Sequence, residues 1–168
     1  MANKYPYVKS TSEPLGLIEQ LELSITMRPS EDPATTAQYS WFGRLLSDDR
    51  DFIWVYTSRD GIEERYNKQQ LADAYFSNSI RYTLYDSDCP SPQPYLYQDK
   101  EVCKAEGLLR IKGTSTRHHE ENPVQSDHCG THMFAYTMVK EDGKWRLREC
   151  KILQVEANCS TRHGEVYE

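Results

Sequence analysis

The sequence holds no apolar run long enough to cross a membrane; Ile, Leu and Val are scattered along it. It has no basic patch of the kind nucleic acid requires, since Lys and Arg number 20 against 26 Asp and Glu, the signs are interspersed and the net charge is −6. Neither nucleic acid nor membrane is therefore an expected partner. No CxxC pair occurs among the 5 cysteines, their number is odd, and no secretory signal opens the chain, so the expectation is free thiols in a reducing cytoplasm. Cys129 and Cys150 read as small core residues on two paired strands. His118, His119, His128, Cys129 and His132 form the one candidate metal cluster; their spacing fits no finger pattern, and no metal is expected. A nucleophile elbow, a Walker loop and a dinucleotide fingerprint are all missing, and no cofactor is expected. Phenylalanine is scarce as well, with 4 residues.

Tyrosine is abundant instead, at 12 residues. It supplies apolar area with a hydroxyl handle and suits half-wet cavities and interfaces, although core edges take many tyrosines too. A length of 168 residues suits one domain, 1–168, with its core at about 12–157 and terminal arms at 1–11 and 158–168. The charge clusters Glu63-Glu64-Arg65 and Glu120-Glu121 read as solvated surface.

Ser12 and Pro14 mark a helix start, and Leu17, Ile18, Leu21 and Ile25 then recur at helical spacing. Asp32-Pro33 starts a second helix with Ala34, Ala37, Trp41 and Leu45 on one stripe. Phe52-Ile-Trp-Val-Tyr-Thr57 is aromatic and β-branched, hence a strand, and Asp60-Gly61 a turn. Asn67-Lys-Gln-Gln70 offers a capping box for a short helix carrying Leu71, Ala72, Tyr75 and Phe76. Strands follow at Ile80 to Leu84, Tyr95 to Tyr97 and Val102 to Thr114. The prolines of Cys89-Pro-Ser-Pro-Gln-Pro94 make a rigid loop. Asp142-Gly143 lies between two β-favouring runs and predicts a hairpin joining 133–139 to 144–155. Helices first and strands last argue an α+β fold, with N-terminal helices covering a curved antiparallel sheet.

Within the hairpin, His128, His132 and Tyr136 share one parity with Phe134 and Met138, and so project from one sheet face. Met133, Ala135 and Val139 project from the other. One parity can line a cavity; the other needs cover, which a homodimer would provide.

The chain resembles the NTF2-like superfamily, and within it the SnoaL-like and scytalone-dehydratase-like small-molecule enzymes. The likeness rests on Asp51-Phe-Ile-Trp-Val-Tyr56, on Lys68-Gln-Gln-Leu-Ala-Asp-Ala-Tyr75 and on Met133-Phe-Ala-Tyr-Thr-Met-Val-Lys-Glu-Asp-Gly-Lys-Trp-Arg-Leu147. It implies an NTF2-like cone with its mouth closed by helices and an interior that often holds a hydrophobic ligand. Enzymes of this kind work without cofactors as dehydratases, isomerases, cyclases or epoxide hydrolases; other members bind ligands or dimerise without catalysis. Superfamily relatives often pair through the outer sheet surface. Scytalone-dehydratase-like enzymes carry Tyr-Asp in the first helix and histidines on two inner strands. Here the first helix carries Glu19 and Glu22 instead, and the strand near Tyr82 has no histidine, so that mechanism does not transfer.

The residues that could carry chemistry are His132, Tyr136, Glu149 and Tyr56. His132 is the first choice for a base, because a neutral imidazole exchanges a proton near pH 7; a hydrogen-bonded core histidine is the plain alternative. Tyr136 or Tyr56 would stabilise a developing oxyanion. Glu149 shares parity with Trp145 and Leu147; facing inward it would be a second acid/base, and the equal alternative is an ion pair with an arginine such as Arg110. Trp54, Tyr82, Phe134, Met138 and Tyr39 are candidates for contacting a flat substrate, with ordinary aromatic core as the other reading for Trp54 and Tyr56. The expected protein is a cofactor-independent dehydratase, isomerase or cyclase acting on a polycyclic or aromatic metabolite; the alternative is a non-catalytic ligand-binding or dimerisation module.

Overall fold

Asp142 and Gly143 both adopt positive φ, 53° and 77°, which is the two-residue turn that matches the twist of a β-hairpin. They join strands β6 (Val124–Glu141) and β7 (Lys144–Glu156), which pair antiparallel as the turn chemistry requires. The computed structural model describes residues 10–26, 42–76, 80–84, 93–95, 101–117 and 124–157. The remaining described elements are helix α1 (Pro14–Thr26), strands β1 (Ile53–Thr57) and β2 (Glu63–Tyr66), helix α2 (Lys68–Phe76), and strands β3 (Ile80–Leu84), β4 (Gln93–Tyr95) and β5 (Val102–Arg117). The second helix read from Asp32 onward falls mostly outside the described residues; its end, Phe42 to Leu45, is a short helical turn.

The strands form one seven-stranded sheet in the order β2-β1-β7-β6-β5-β3, with β4 paired to β5. All pairs are antiparallel except β1 with β7, which run parallel. The fold is the expected α+β cone, with this one parallel pair added. It brings β1, early in the chain, beside the C-terminal hairpin.

Local chemistry explains the elements. Pro14 opens α1 where its missing N–H costs nothing, and Leu17, Ile18 and Leu21 bury one stripe of it completely. At α2, Asn67 Oδ1 accepts from the Gln70 N–H at 2.8 Å while Gln70 Oε1 accepts from the Asn67 N–H at 2.9 Å. This reciprocal pair satisfies two otherwise orphaned donors, and losing such a cap costs about 1 kcal/mol. Gly61, at φ 86°, turns β1 back into β2. Helix α1 packs on β3, β4 and β7, and α2 on β1, β2 and β3, so both cover the inner sheet face. There Trp54, Phe134, Met138, Trp145, Leu147 and Ile152 are buried with the helix stripes as one core. Full burial of a side chain of this kind is favourable by roughly 1.5–3 kcal/mol.

The thiols depart from expectation. Cys103 and Cys150 are free and buried, but Cys129 is disulfide-bonded. The other two cysteines, Cys89 and Cys159, lie outside the described residues. Titration of the denatured, unreduced protein is expected to find three thiols per chain. Five would contradict the disulfide and restore the fully reduced reading.

Candidate functional site

The inner face of β1 and β2 concentrates polar atoms within an aromatic core. Alternation puts Trp54 and Tyr56 inward on β1, with Phe52 buried just before it, and Glu64 and Tyr66 inward on β2. Register pairs Trp54 with Tyr66 and Tyr56 with Glu64. Across the parallel pair, Tyr56 lies opposite Ile152 of β7, which lies opposite Phe134 of β6. The Tyr56 side chain reaches along this face to His132, two positions before Phe134 on the same parity.

Tyr56 Oη and His132 Nε2 are 2.9 Å apart, and His132 Nδ1 is 3.0 Å from the Gly130 carbonyl oxygen. The proton positions follow. A carbonyl can only accept, so Nδ1 carries hydrogen and donates to it. Burial depresses the His132 pKa to about 4, against a smaller opposing effect of the Gly130 carbonyl, so the ring is neutral at pH 7 and Nε2 is bare. Tyr56 therefore donates its hydroxyl proton to Nε2. Its own pKa is pushed well above the ordinary phenol value, first by burial and then by the Glu64 carboxylate. His132 is fully buried and Tyr56 nearly so.

The strand under His132 is shaped for the contact. Gly130 has φ 108°, a conformation other residues rarely adopt, and the β6–β7 register shifts between Thr131 and His132. Gln154 secures this end: its Nε2 donates to the Cys129 carbonyl at 2.7 Å and its Oε1 accepts from the Arg59 N–H at 3.1 Å. Trp54 Nε1 is a buried donor with no hydrogen-bond partner among the described residues. Burying such a donor costs about 1–3 kcal/mol.

Six sequence candidates, Tyr56, His132, Trp54, Tyr136, Phe134 and Met138, lie buried on this inner face. Tyr136 packs its ring beside Phe134, centroids 6.2 Å apart. Glu149 does not join them. A β-bulge between Thr137 and Met138 leaves Arg148 as an extra residue on β7, so Leu147 pairs with Met138 and Glu149 with Thr137. The extra residue reverses parity, and Glu149 lies on the outer face, paired with Lys151 at 3.1 Å rather than with Arg110. Tyr39 lies outside the described residues, and so do the side chains of Tyr82 and His128, whose backbones belong to β3 and β6.

Glu64 is the site residue the sequence reading placed wrongly. The cluster Glu63-Glu64-Arg65 reads as solvated surface, yet Glu63 and Arg65 pair with each other outside while Glu64 is 2% exposed. The available signal was its shared parity with Tyr66.

The outer face carries a different feature. Ile53, Val55, Met133, Ala135 and Leu153 floor an open groove of about 550 Å³ rimmed by Glu63, Arg65, Glu149 and Lys151. Met133 is opposite Leu153 on one side and Leu108 on the other, and Leu108 is 49% exposed.

No family model and no curated protein matches the sequence. Solved structures do match. An NTF2-like protein from Cytophaga hutchinsonii is similar at TM-score 0.56 and 15% identity, over 84% of this chain and 94% of that one. A protein from Thiobacillus denitrificans, provisionally assigned as a calcium/calmodulin-dependent protein kinase type II association domain, is similar at TM-score 0.51 and 9% identity, over 85% of this chain and 95% of that one. Identities this low establish the NTF2-like fold and nothing finer.

Proposed function

We propose that this chain is an acid/base enzyme acting on a small aromatic or polycyclic molecule, of the dehydratase, isomerase or cyclase class, and working without a cofactor. The observation that carries the reading is the buried Tyr56–His132 hydrogen bond. Two side chains from distant strands, each a candidate on chemical grounds, meet in a neutral, water-poor setting.

The directions of the hydrogen bonds define the chemistry. With its proton committed to His132, Tyr56 Oη is the acceptor in the proposed step. A substrate C–H or O–H bond breaks, its proton passes to Tyr56 Oη, and the Tyr56 proton passes to Nε2, leaving an enolate or alkoxide on the substrate. The reverse transfer delivers a proton to product. Protonating His132 at pH 7 against a pKa of about 4 costs about 4 kcal/mol. That is a small part of the roughly 17 kcal/mol barrier consistent with one turnover per second. Trp54 Nε1, a donor without a partner among the described residues, suits a substrate carbonyl and the negative charge that develops there. The test is exchange of solvent deuterium into an enolisable bicyclic aromatic ketone such as α-tetralone, followed by NMR. Exchange above the buffer rate that depends on Tyr56 and His132 supports the reading; none across a panel of such ketones counts against it.

The outer face favours self-association, which is compatible with catalysis and is the basis of the non-catalytic alternative. The line Leu153–Met133–Leu108 crosses three strands, and the rim holds both signs of charge, which suits a self-complementary two-fold contact between copies. A homodimer of twice 19.6 kDa is expected in sedimentation at micromolar concentration, with Met133→Glu shifting it to monomer. A monomer in both would contradict this. None of the described helices is long and apolar enough to cross a membrane. A count of three or fewer thiols weakens a cytoplasmic location, since persistent disulfides are rare in the cytosol.

A further inference from the structure

Strand β2 is four residues long and carries two adjacent charges of one sign, yet it splits them. Glu63 faces outward beside Arg65, while Glu64 turns into the core and is 2% exposed. Taking a carboxyl group out of water costs several kcal/mol unless its surroundings compensate. Among the described residues only Glu22 of α1 is a comparably buried carboxyl. Glu64 has a defined setting. It stands directly across the β1–β2 register from Tyr56, and the Tyr66 hydroxyl donates to its Oε1 at 3.4 Å, a long contact. Among the described residues the other buried titratable groups are Tyr66 on β2, His132 and Tyr136 on β6, Cys103 on β5, Cys150 on β7 and Glu22 on α1.

We propose that Glu64 is the positioning residue of the Tyr56–His132 pair: its buried carboxyl, set across the strand register from Tyr56, keeps the Tyr56 hydroxyl a proton donor aimed at His132. The inference rests on the acid/base reading above, but its physical content stands without a substrate. An ionised carboxylate accepts hydrogen bonds and cannot donate them. Set across the strand register from Tyr56, it opposes negative charge on the phenol oxygen, so Tyr56 does not rest as a phenolate: its own proton passes to Nε2 only as Oη takes the substrate proton. Glu64 thus sets where positive charge comes to rest during the relay, on His132.

The test compares Glu64→Gln, which keeps size and removes charge, with Glu64→Asp, which keeps charge and shortens the side chain. The protein is labelled with 2,3,5-trifluorotyrosine, whose several-fold fluorination makes the phenol acidic enough to bring the raised Tyr56 titration into an accessible range, and the Tyr56 fluorine signal is assigned by its loss in Tyr56→Phe. In Glu64→Gln the Tyr56 signal is expected to titrate about one pH unit lower, a tenfold larger ionisation constant, while Glu64→Asp stays near the parent value. Where α-tetralone exchange is measurable, Glu64→Gln is expected to lower kcat about tenfold with KM within twofold, and Glu64→Asp to recover most of it. Identical Tyr56 titrations in parent and Glu64→Gln overturn the proposal. So do equal shifts in both variants, which would mark a packing effect. No exchange in any protein, with the Tyr56 titration still moved by Glu64→Gln alone, sinks the enzyme reading and leaves the Glu64 assignment standing.

Discussion

Replacing His132 with glutamine is expected to lower proton-transfer turnover by about a hundredfold or more while the fold survives. The side-chain amide of glutamine can donate to the Gly130 carbonyl and accept from Tyr56, as the imidazole does, but it cannot hold a proton. Alanine is the poorer substitution. It strips both partners from groups enclosed in the core, at about 1–3 kcal/mol each, and opens a cavity as well. Tyr136→Phe is expected to cost less, since it removes one hydroxyl and retains the ring beside Phe134. Ketone deuterium exchange, with a thermal melt for each variant, separates lost chemistry from lost structure. A His132→Gln protein that exchanges at the parent rate would make His132 a structural histidine.

Acid should destabilise the protein through the same residue. His132 holds a pKa of about 4 in the folded state against an ordinary 6.5 when unfolded, because burial disfavours the charged ring. The unfolded chain therefore binds the proton more readily. The stability tied to neutral His132 is fully present above pH 6.5 and is lost as pH falls from 6.5 to about 4. The loss amounts to about 3 kcal/mol, a large share of the roughly 5–15 kcal/mol that holds a domain folded. Urea unfolding at pH 7 and pH 4.5 is expected to show this drop in the parent and a much shallower one in His132→Gln. The difference between the two proteins isolates the imidazole from carboxylates that titrate nearby. Parallel pH dependence in both would contradict the burial argument.

How much of this could be read from the residues depended on whether the signal was local. Asp142-Gly143, the Asn67–Gln70 box and the Leu17, Ile18, Leu21 stripe each act within a few positions, and each formed as its chemistry dictates. Parity correctly put His132, Phe134, Tyr136 and Met138 on the inner face and Met133, Ala135 and Val139 on the other, because β6 runs regularly through them. The same rule failed for Glu149, where the Arg148 bulge resets the alternation and no residue type announces it. At Glu64 the short charged strand reads as surface, and only the shared parity with Tyr66 points inward. The Tyr56–His132 contact was legible as two candidates but not as a pair. The partners are 76 positions apart, and they meet only because β1 lies parallel to β7. Nothing in the β1 sequence specifies that neighbour.

The central claim is that Tyr56 and His132 form one proton-transfer unit. The most direct measurement is ketone deuterium exchange by the parent, Tyr56→Phe, His132→Gln and the double variant, each checked for folding. Residues acting as a unit give non-additive losses. The expected result is a fall of about a hundredfold in each single variant and no further fall in the double. Losses that multiply in the double variant, or exchange in the double equal to the parent, would contradict it.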